Sequence, residues 1–302
     1  MPDRVVVRAP ATIANLGPGF DCLGVAVSWH NEVRVERDPS GGLSVTAAGH
    51  GADAVPRDAS NLVVRTIAGV LGSGDGLRLH QTNAIPFGRG FGSSAAAIVA
   101  GLTLANRWLR NRYTRKELLA EAIAIEGHPD NVSASLYGGL TLSFPRTGGT
   151  VEALRLKPPA GIGITLVIPE IRVSTEKARA LLPKSVPLAS AAANTARAMA
   201  LLQALERRRF DLLADALHDV YHVPHRARLI PAYARVVEAG LRAGAAGVTI
   251  SGSGPTLLAF HAPGLGERVG AAMTRAFMRA RVRARAIPGR IDRRGARARV
   301  HR

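Results

Sequence analysis

Residues 86–101 read Pro-Phe-Gly-Arg-Gly-Phe-Gly-Ser-Ser-Ala-Ala-Ala-Ile-Val-Ala-Gly. Three alternating glycines, Gly88, Gly90 and Gly92, precede Ser93, Ser94 and a small, apolar run with helical character. Glycine admits left-handed backbone and lets the main chain approach another group closely. Ser93 or Ser94 offers a hydroxyl suited to capping the helix that follows. A glycine loop entering a helix N-terminus collects free N–H groups and the positive end of the helix dipole. The stretch therefore demands a loop-to-helix joint and reads as an anion site, with phosphate the leading ligand. It is neither of two familiar phosphate loops. No lysine stands before Ser93, and a single residue, Phe91, separates Gly90 from Gly92.

The rest of the composition admits an enzyme. A chain of 302 residues, 47% hydrophobic with few aromatics, has length for two domains and a substantial core. The formal charge is +18, almost all of the excess being arginine, since only Lys116, Lys157, Lys177 and Lys184 are lysines. Those arginines are spread along the chain and lack interleaved aromatics, which argues against a dedicated nucleic-acid surface. Cys22 is alone, so neither an internal disulfide nor a thiolate metal cluster is available. The early charges and Pro10 do not suit a signal peptide, and the longest apolar run, 95–105, is too short for a bilayer. The expected location is cytoplasmic.

Strands are expected at 4–8, 25–27, 32–36, 77–81 and 140–144, with 31–47 forming a hairpin about Pro39–Gly42. Helices are expected at 61–72, 93–108 and 114–126, the last opened by a Thr114/Glu117 capping box. Pro158, Pro159 and Gly161 mark a hinge, which divides the chain into 1–160 and 161–302. The second half reads as strand 163–168, helices through 175–243, a strand–loop–strand over 244–260, helix 266–279 and strand 282–287. A basic tail, partly mobile, follows from Arg290.

Several loops carry polar residues beside glycine. Asn15 and Asp21 flank Gly17-Pro-Gly19; Glu126 ends a helix before Gly127-His-Pro-Asp-Asn131; and Ser251-Gly-Ser-Gly254 joins two strands. Read alone, each is equally a plain turn or helix end. His218, His222 and His225 crowd together, but Pro224 interrupts the helix that would align them on a metal.

Taken together, these stretches resemble one family. Pro-x-x-x-Gly-x-Gly-Ser-Ser-Ala is similar to the nucleotide loop of the GHMP kinases, with Phe91 where leucine is usual. Pro-Ala-x-x-Ala-Asn-Leu-Gly-Pro-Gly-Phe-Asp, ending at Asp21, resembles the first motif of the homoserine-kinase branch. Glu126-Gly-His-x-Asp-Asn-Val resembles that branch too, and the 251–254 loop resembles the family's third motif.

The resemblance implies an α+β, two-layer fold. Its N-terminal half would be similar to the second domain of ribosomal protein S5 and its C-terminal half ferredoxin-like. It implies phosphoryl transfer from ATP to the γ-hydroxyl of L-homoserine. Pro86, Phe87, Gly88, Arg89, Gly90, Phe91, Gly92, Ser93, Ser94, Ala95 and Ala96 would surround ATP, with Gly252 and Gly254. Ser94 and Glu126 would hold Mg²⁺. Asn15, Asp21, His128, Asn131, Arg179 and Arg226 would contact the substrate, with Asp21 on its ammonium and the arginines on its carboxylate. Asn131 would orient the hydroxyl, and with Glu126 and Ser94 would form the catalytic set. No side chain stands out as general base. The expected partner is a small molecule, with no nucleic acid and no membrane, and a homodimer is compatible with this. The rivals are another small-alcohol kinase of the mevalonate-pathway type, which the Asn15–Asp21 loop disfavours, and a basic nucleic-acid-binding module.

Overall fold

The computed structural model describes residues 4–157 and 160–301. Pro158 and Pro159, read above as part of a hinge, lie outside them. On β1 (Arg4–Ala14), Val5, Val7 and Ala9 are fully buried while Arg4, Val6 and Arg8 lie on the open side. The same alternation on β2 (Leu23–Arg37) buries Val33 and Val35. The register sets Arg8 opposite Glu32 and Arg4 opposite Glu36, with ion pairs of 3.4 and 3.5 Å. Such exposed pairs contribute ~1 kcal/mol at most, against ~1.5–3 kcal/mol for each buried valine, so the apolar face decides the pairing.

β1 continues to Ala14 and β2 is unbroken from Leu23, where the sequence suggested a loop from residue 9 and two short strands. The expected 31–47 hairpin does not form. β3 (Leu43–Gly49) leaves β2 after the Asp38–Gly42 turn, and β4 (Leu77–Asn83) takes the place between them. It is antiparallel to β2 and parallel to β3. Burial explains the exchange: β3 buries only Val45, as suits an edge, whereas β4 buries Leu77, Leu79, Gln81 and Asn83. β5 (Leu140–Pro145) pairs with the start of β2, and β6 (Val151–Leu156) with β5.

Four helices form the layer on the buried face of this sheet: α1 (Leu62–Leu71), α2 (Ser93–Trp108), α3 (Arg115–Glu126) and α4 (Pro129–Tyr137). Of these, α2 and α4 lie on the strands, with α1 against α2 and α3 against α2 and α4. α2 is central and buried nearly all round, packing on β1, α1, α3 and α4. α3 starts at the expected capping box and stops at left-handed Gly127. That stop leaves Glu126 and the start of α4 side by side.

The second sheet contains β7 (Gly163–Pro169), β8 (Ala245–Ile250), β9 (Leu257–His261) and β10 (Ala284–Gly289), in the order β10-β7-β9-β8. Between β7 and β8 come α5 (Thr175–Ala180), α6 (Leu188–Arg207), α7 (Phe210–Ala216), α8 (Val223–Arg226) and α9 (Tyr233–Arg242). After β9 comes α10 (Gly266–Arg279). Val167, Leu257 and Ala259 pack beneath α9 and α10, while Ile164, Leu166, Leu258 and Phe260 join the core of the first sheet. Among the described residues no helix is long and apolar enough to cross a membrane.

The tail is not the mobile segment that its charge suggested. β11 (Arg297–His301) returns to the first sheet and pairs antiparallel with β1. Asp292 anchors the return. Its carboxylate accepts from the N–H groups of Arg294 and Gly295 at 2.7 and 2.8 Å and meets His30 Nε2 at 2.6 Å. Burial opposes that charge, but these contacts hold its pKa down at about 2. An unfolded aspartate titrates near ~3.9, so this stabilisation is present above that pH and is lost as the pH falls toward 2. Asp292→Asn should therefore lower stability by about 1–3 kcal/mol at pH 7 in urea titrations and flatten the acid limb of the stability curve. A variant as stable as the parent at pH 7 would mean that the anchor contributes nothing.

Candidate active site

The glycine loop, the 15–22 loop, the start of α4, α5 and the 251–254 loop enclose a cavity of about 420 Å³. Gly88, Gly90 and Gly92 have φ of 63°, 77° and 61°, the left-handed values that the sequence called for. Two of these glycines are fixed by contact as well. A Cβ on Gly90 would stand 2.1 Å from the Ser251 carbonyl oxygen, and one on Gly92 2.0 Å from Thr12 Oγ1 and 2.6 Å from Asn131 Oδ1. Phe91 turns inward, edge-on to Trp29 at 5.2 Å between ring centroids, and pins the loop.

Neither serine caps α2. Gly92 is the cap residue, makes no side-chain bond, and leaves Ser93 and Ser94 as the first helical residues. The helix N–H groups thus have no side-chain cap, and Ser93 Oγ is buried without a hydrogen-bond partner among the described residues. Ser94 Oγ instead donates to Glu126 Oε1 at 2.7 Å. Burial raises the pKa of Glu126, opposed by the Ser94 bond and His128.

Next along α4, the Asp130 carboxylate lies 2.8 Å from His128 Nδ1 and accepts from Asn131 N–H at 2.8 Å. Burial disfavours the charge on His128, but Asp130, then Glu126 and Asp21, outweigh it and raise its pKa. Thr12 Oγ1 donates to Asn131 Oδ1 at 2.7 Å, which fixes the amide and leaves its NH₂ toward Asp130, 3.4 Å away. Across the cavity Arg179 of α5 makes a two-pronged bond to Asp21, both N–O distances 3.0 Å. The sequence reading gave these two side chains to opposite charges of a ligand; here they hold each other. Arg226 is buried and donates to Gly252 O at 2.8 Å. Burial and the Arg179 charge push its pKa down to about 10.

Asn15, Asp21, Glu126, His128, Asn131, Arg179 and Arg226 all line this one cavity, with Pro86–Gly88, Gly90–Ser94 and Gly252. Four expected residues do not. Arg89 turns away to donate to the Pro169 and Ile171 carbonyls. Ala95 and Ala96 are fully buried beneath the loop, and Gly254 lies under it against Gly90 and Ile230. Sequence reasoning missed Thr12, Asp130, Thr175 and Ser253. Asp130 was legible only as a helix-start acid, an ordinary place for one.

Beside the first cavity lies a second of about 390 Å³, mostly apolar, with the amides of Asn61, Gln81 and Asn83. Phe87, Ser93 and Ser94 line both. This apolar slot therefore adjoins the glycine loop and the N-terminus of α2, whose N–H groups have no side-chain cap. Among the described residues no three His, Cys, Asp or Glu side chains gather as a metal site.

Sequence comparison agrees with this geometry. The family model for the GHMP kinases N terminal domain matches residues 61–139, and that for the GHMP kinases C terminal region matches 201–280. The chain belongs to the GHMP kinase family. Two relatives are homoserine kinases. That of Carboxydothermus hydrogenoformans is 40% identical over 297 residues, 97% of this chain and 96% of its own. That of Streptomyces coelicolor is 44% identical over 234 residues, 75% of each chain. A crystal structure of homoserine kinase from Cytophaga hutchinsonii superposes with a TM-score of 0.88 at 33% identity, covering 99% of this chain and 98% of the other. This GHMP kinase is accordingly an ATP-dependent kinase of a small molecule, with the two-unit α+β fold that the motifs implied.

Gly92→Ala tests the tight joint. The added methyl must displace Thr12 and Asn131, which should cost about 1–3 kcal/mol in stability and at least ~100-fold in kcat. Retention of both parental stability and parental kcat would show that the joint tolerates a side chain.

Proposed function

We propose that this kinase transfers the γ-phosphoryl group of ATP to the side-chain hydroxyl of L-homoserine, giving O-phospho-L-homoserine on the route to threonine. The observation that carries the reading is the placement of Asp21, Arg179 and Arg226 in one cavity beside the glycine loop. An acid next to two guanidinium groups suits a zwitterion, which offers an ammonium to one and a carboxylate to the others. Mevalonate has the carboxylate but no ammonium, and would leave Asp21 without a cation once Arg179 turned to the ligand. The homoserine-kinase relatives support the same substrate.

In this reading the apolar slot takes the adenine and the N–H groups of the 88–94 loop take the β- and γ-phosphates. Phosphoryl transfer asks mainly for positioning and charge stabilisation. Ser94 and Glu126 present one hydroxyl and one carboxylate, hard oxygen donors 2.7 Å apart at the phosphate end. That set fits Mg²⁺, which takes few protein ligands and completes its shell with phosphate and water. Bound there, Mg²⁺ supplies charge neutralisation to the transferred phosphoryl group. Asn131, its carbonyl held by Thr12 and one N–H toward Asp130, offers its other N–H to the substrate hydroxyl. Asp130 and His128 keep a compensated charge pair beside it. In this reading the hydroxyl proton passes directly to the phosphoryl oxygens, with Asp130 kept in its pair with His128. A cytoplasmic location belongs to this proposal, since ATP is supplied there.

With Mg-ATP and equal concentrations of homoserine, mevalonate, galactose and shikimate, ADP release should be fastest with homoserine by at least ~10³-fold. Faster turnover of any other alcohol overturns the substrate assignment and leaves the family intact. Glu126→Gln should lower kcat by ~10² or more while circular dichroism stays unchanged. Because burial raises the Glu126 pKa, apparent Mg²⁺ affinity should weaken on acidification at a pH above the ordinary carboxylate range, and lose that dependence in the variant.

A further inference from the structure

Arg226 ends α8 and is 2% exposed. Its Nη1 donates to Gly252 O at 2.8 Å and lies 3.4 Å from Nδ1 of His222. Both Nη1 hydrogens are thereby directed at protein acceptors. Nε is buried and has no partner, and Nη2 makes no hydrogen bond among the described residues. One edge of the guanidinium is used by the protein, and the Nε–Nη2 edge is left over in a side chain that lines the cavity. A buried N–H without a partner is costly, so the free edge is a fork awaiting an acceptor.

His222 sets which edge stays free. It has no solvent exposure, and its Nε2 lies 2.9 Å from Gly17 O. A carbonyl only accepts, so Nε2 carries the hydrogen. In the neutral ring Nδ1 is then a lone pair facing a guanidinium that only donates. Burial is the main force holding the ring neutral. The Asp219 carboxylate, 3.8 Å from Nε2, opposes it and the Arg226 charge reinforces it, leaving a pKa of about 4. Asp219 in turn is occupied by the N–H groups of His222 and Val223, each at 2.7 Å, which fix the start of α8. Phe20 closes the other side. Its ring centroid is 5.4 Å from Cζ of Arg226, 5.7 Å from Cζ of Arg179 and 5.6 Å from the His222 ring. An aromatic face attracts both cations and keeps the two like charges from collapsing onto one position.

We propose that His222 is a positioning residue that presents the Nε–Nη2 edge of Arg226 to the substrate carboxylate, with Phe20 as the backstop that spaces Arg226 from Arg179. This rests on the reading of the substrate as an amino acid with Arg226 at its carboxylate. The groups come from distant parts of the sequence: the 15–22 loop supplies Phe20 and the Gly17 acceptor, residues 219–226 supply Asp219, His222 and Arg226, and Arg179 comes from α5. Carboxylate recognition is thus coupled to how these two segments dock. A histidine serving only to fill the core would affect all substrates alike, whereas this one should act only on those that carry a carboxylate.

The test compares homoserine with 3-aminopropan-1-ol, the same alcohol without its carboxylate, in the parent, His222→Leu, His222→Gln and Arg226→Ala. His222→Leu should raise KM for homoserine about tenfold or more with KM for ATP within about twofold, and lower the homoserine/aminopropanol ratio of kcat/KM by a similar factor. His222→Gln retains an N–H and an oxygen acceptor and should recover most of that ratio. Arg226→Ala should lower the ratio furthest. An unchanged ratio in His222→Leu beside a lowered one in Arg226→Ala overturns the positioning role alone. An unchanged ratio in both overturns the carboxylate assignment, and the positioning role with it. If His222→Leu does not fold, Phe20→Leu carries the same comparison: a lowered ratio supports the arrangement, and a parental ratio contradicts it.

Discussion

The close approach of the glycine loop to its neighbours, main chain at Gly90 and the Thr12 and Asn131 side chains at Gly92, is the constraint on which the site depends. With those residues lacking side chains, the loop before α2 settles against Thr12 on β1, Asn131 on α4 and the Ser251 carbonyl beyond β8. Three segments far apart in sequence thereby meet at one helix N-terminus. The bond from Thr12 N–H to the Phe91 carbonyl at 3.0 Å and that from Gly252 N–H to the Ala14 carbonyl at 3.1 Å complete the joint. Bulk at either glycine would push the loop away from Thr12, Asn131 and the Ser251 carbonyl.

Around that joint the charges are arranged in compensated pairs. Asp21 holds Arg179 and Asp130 holds His128, while Glu126 accepts only the neutral hydroxyl of Ser94. Arg226 departs from the scheme, with two donors of its guanidinium unused among the described residues. Unlike-charge contacts in a half-buried cavity are strong enough to order side chains yet exchangeable for a ligand of matching charge. In the proposed reaction homoserine makes that exchange: its ammonium replaces Arg179 at Asp21, and its carboxylate takes the released guanidinium together with Arg226. A ligand bearing only one charge would leave a partner exposed.

Much of this was legible in the sequence because it depends on local chemistry. The alternating glycines at 88–92 required positive φ whatever the fold, the Thr114/Glu117 box needed only four residues, and Glu126 before Gly127 had to sit at a helix end. The parts that were not legible depend on long-range burial. Residues 39–42 do form a turn, but β4, which buries four side chains against one on β3, takes the place beside β2. The arginine-rich tail looked solvated until Asp292, 262 residues from His30, anchored it to the first sheet. Asp130 and His222 were visible in the sequence but had no assignable role there, for a related reason. Each is an ordinary residue in its own segment, and only the contacts with His128, Gly17 and Arg226 give it a role.

The central claim is that the Asp21–Arg179 pair opens only for a ligand that satisfies both ends. Calorimetric titration of the protein with L-homoserine and with 4-hydroxybutanoate, which keeps the hydroxyl and carboxylate and lacks the ammonium, measures this directly. The account predicts a Kd for 4-hydroxybutanoate weaker by roughly 10²–10³-fold or more, the loss expected when a partly buried carboxylate is left without its cation. Binding within about tenfold of homoserine would contradict it, because Asp21 would then have no part in selecting the substrate.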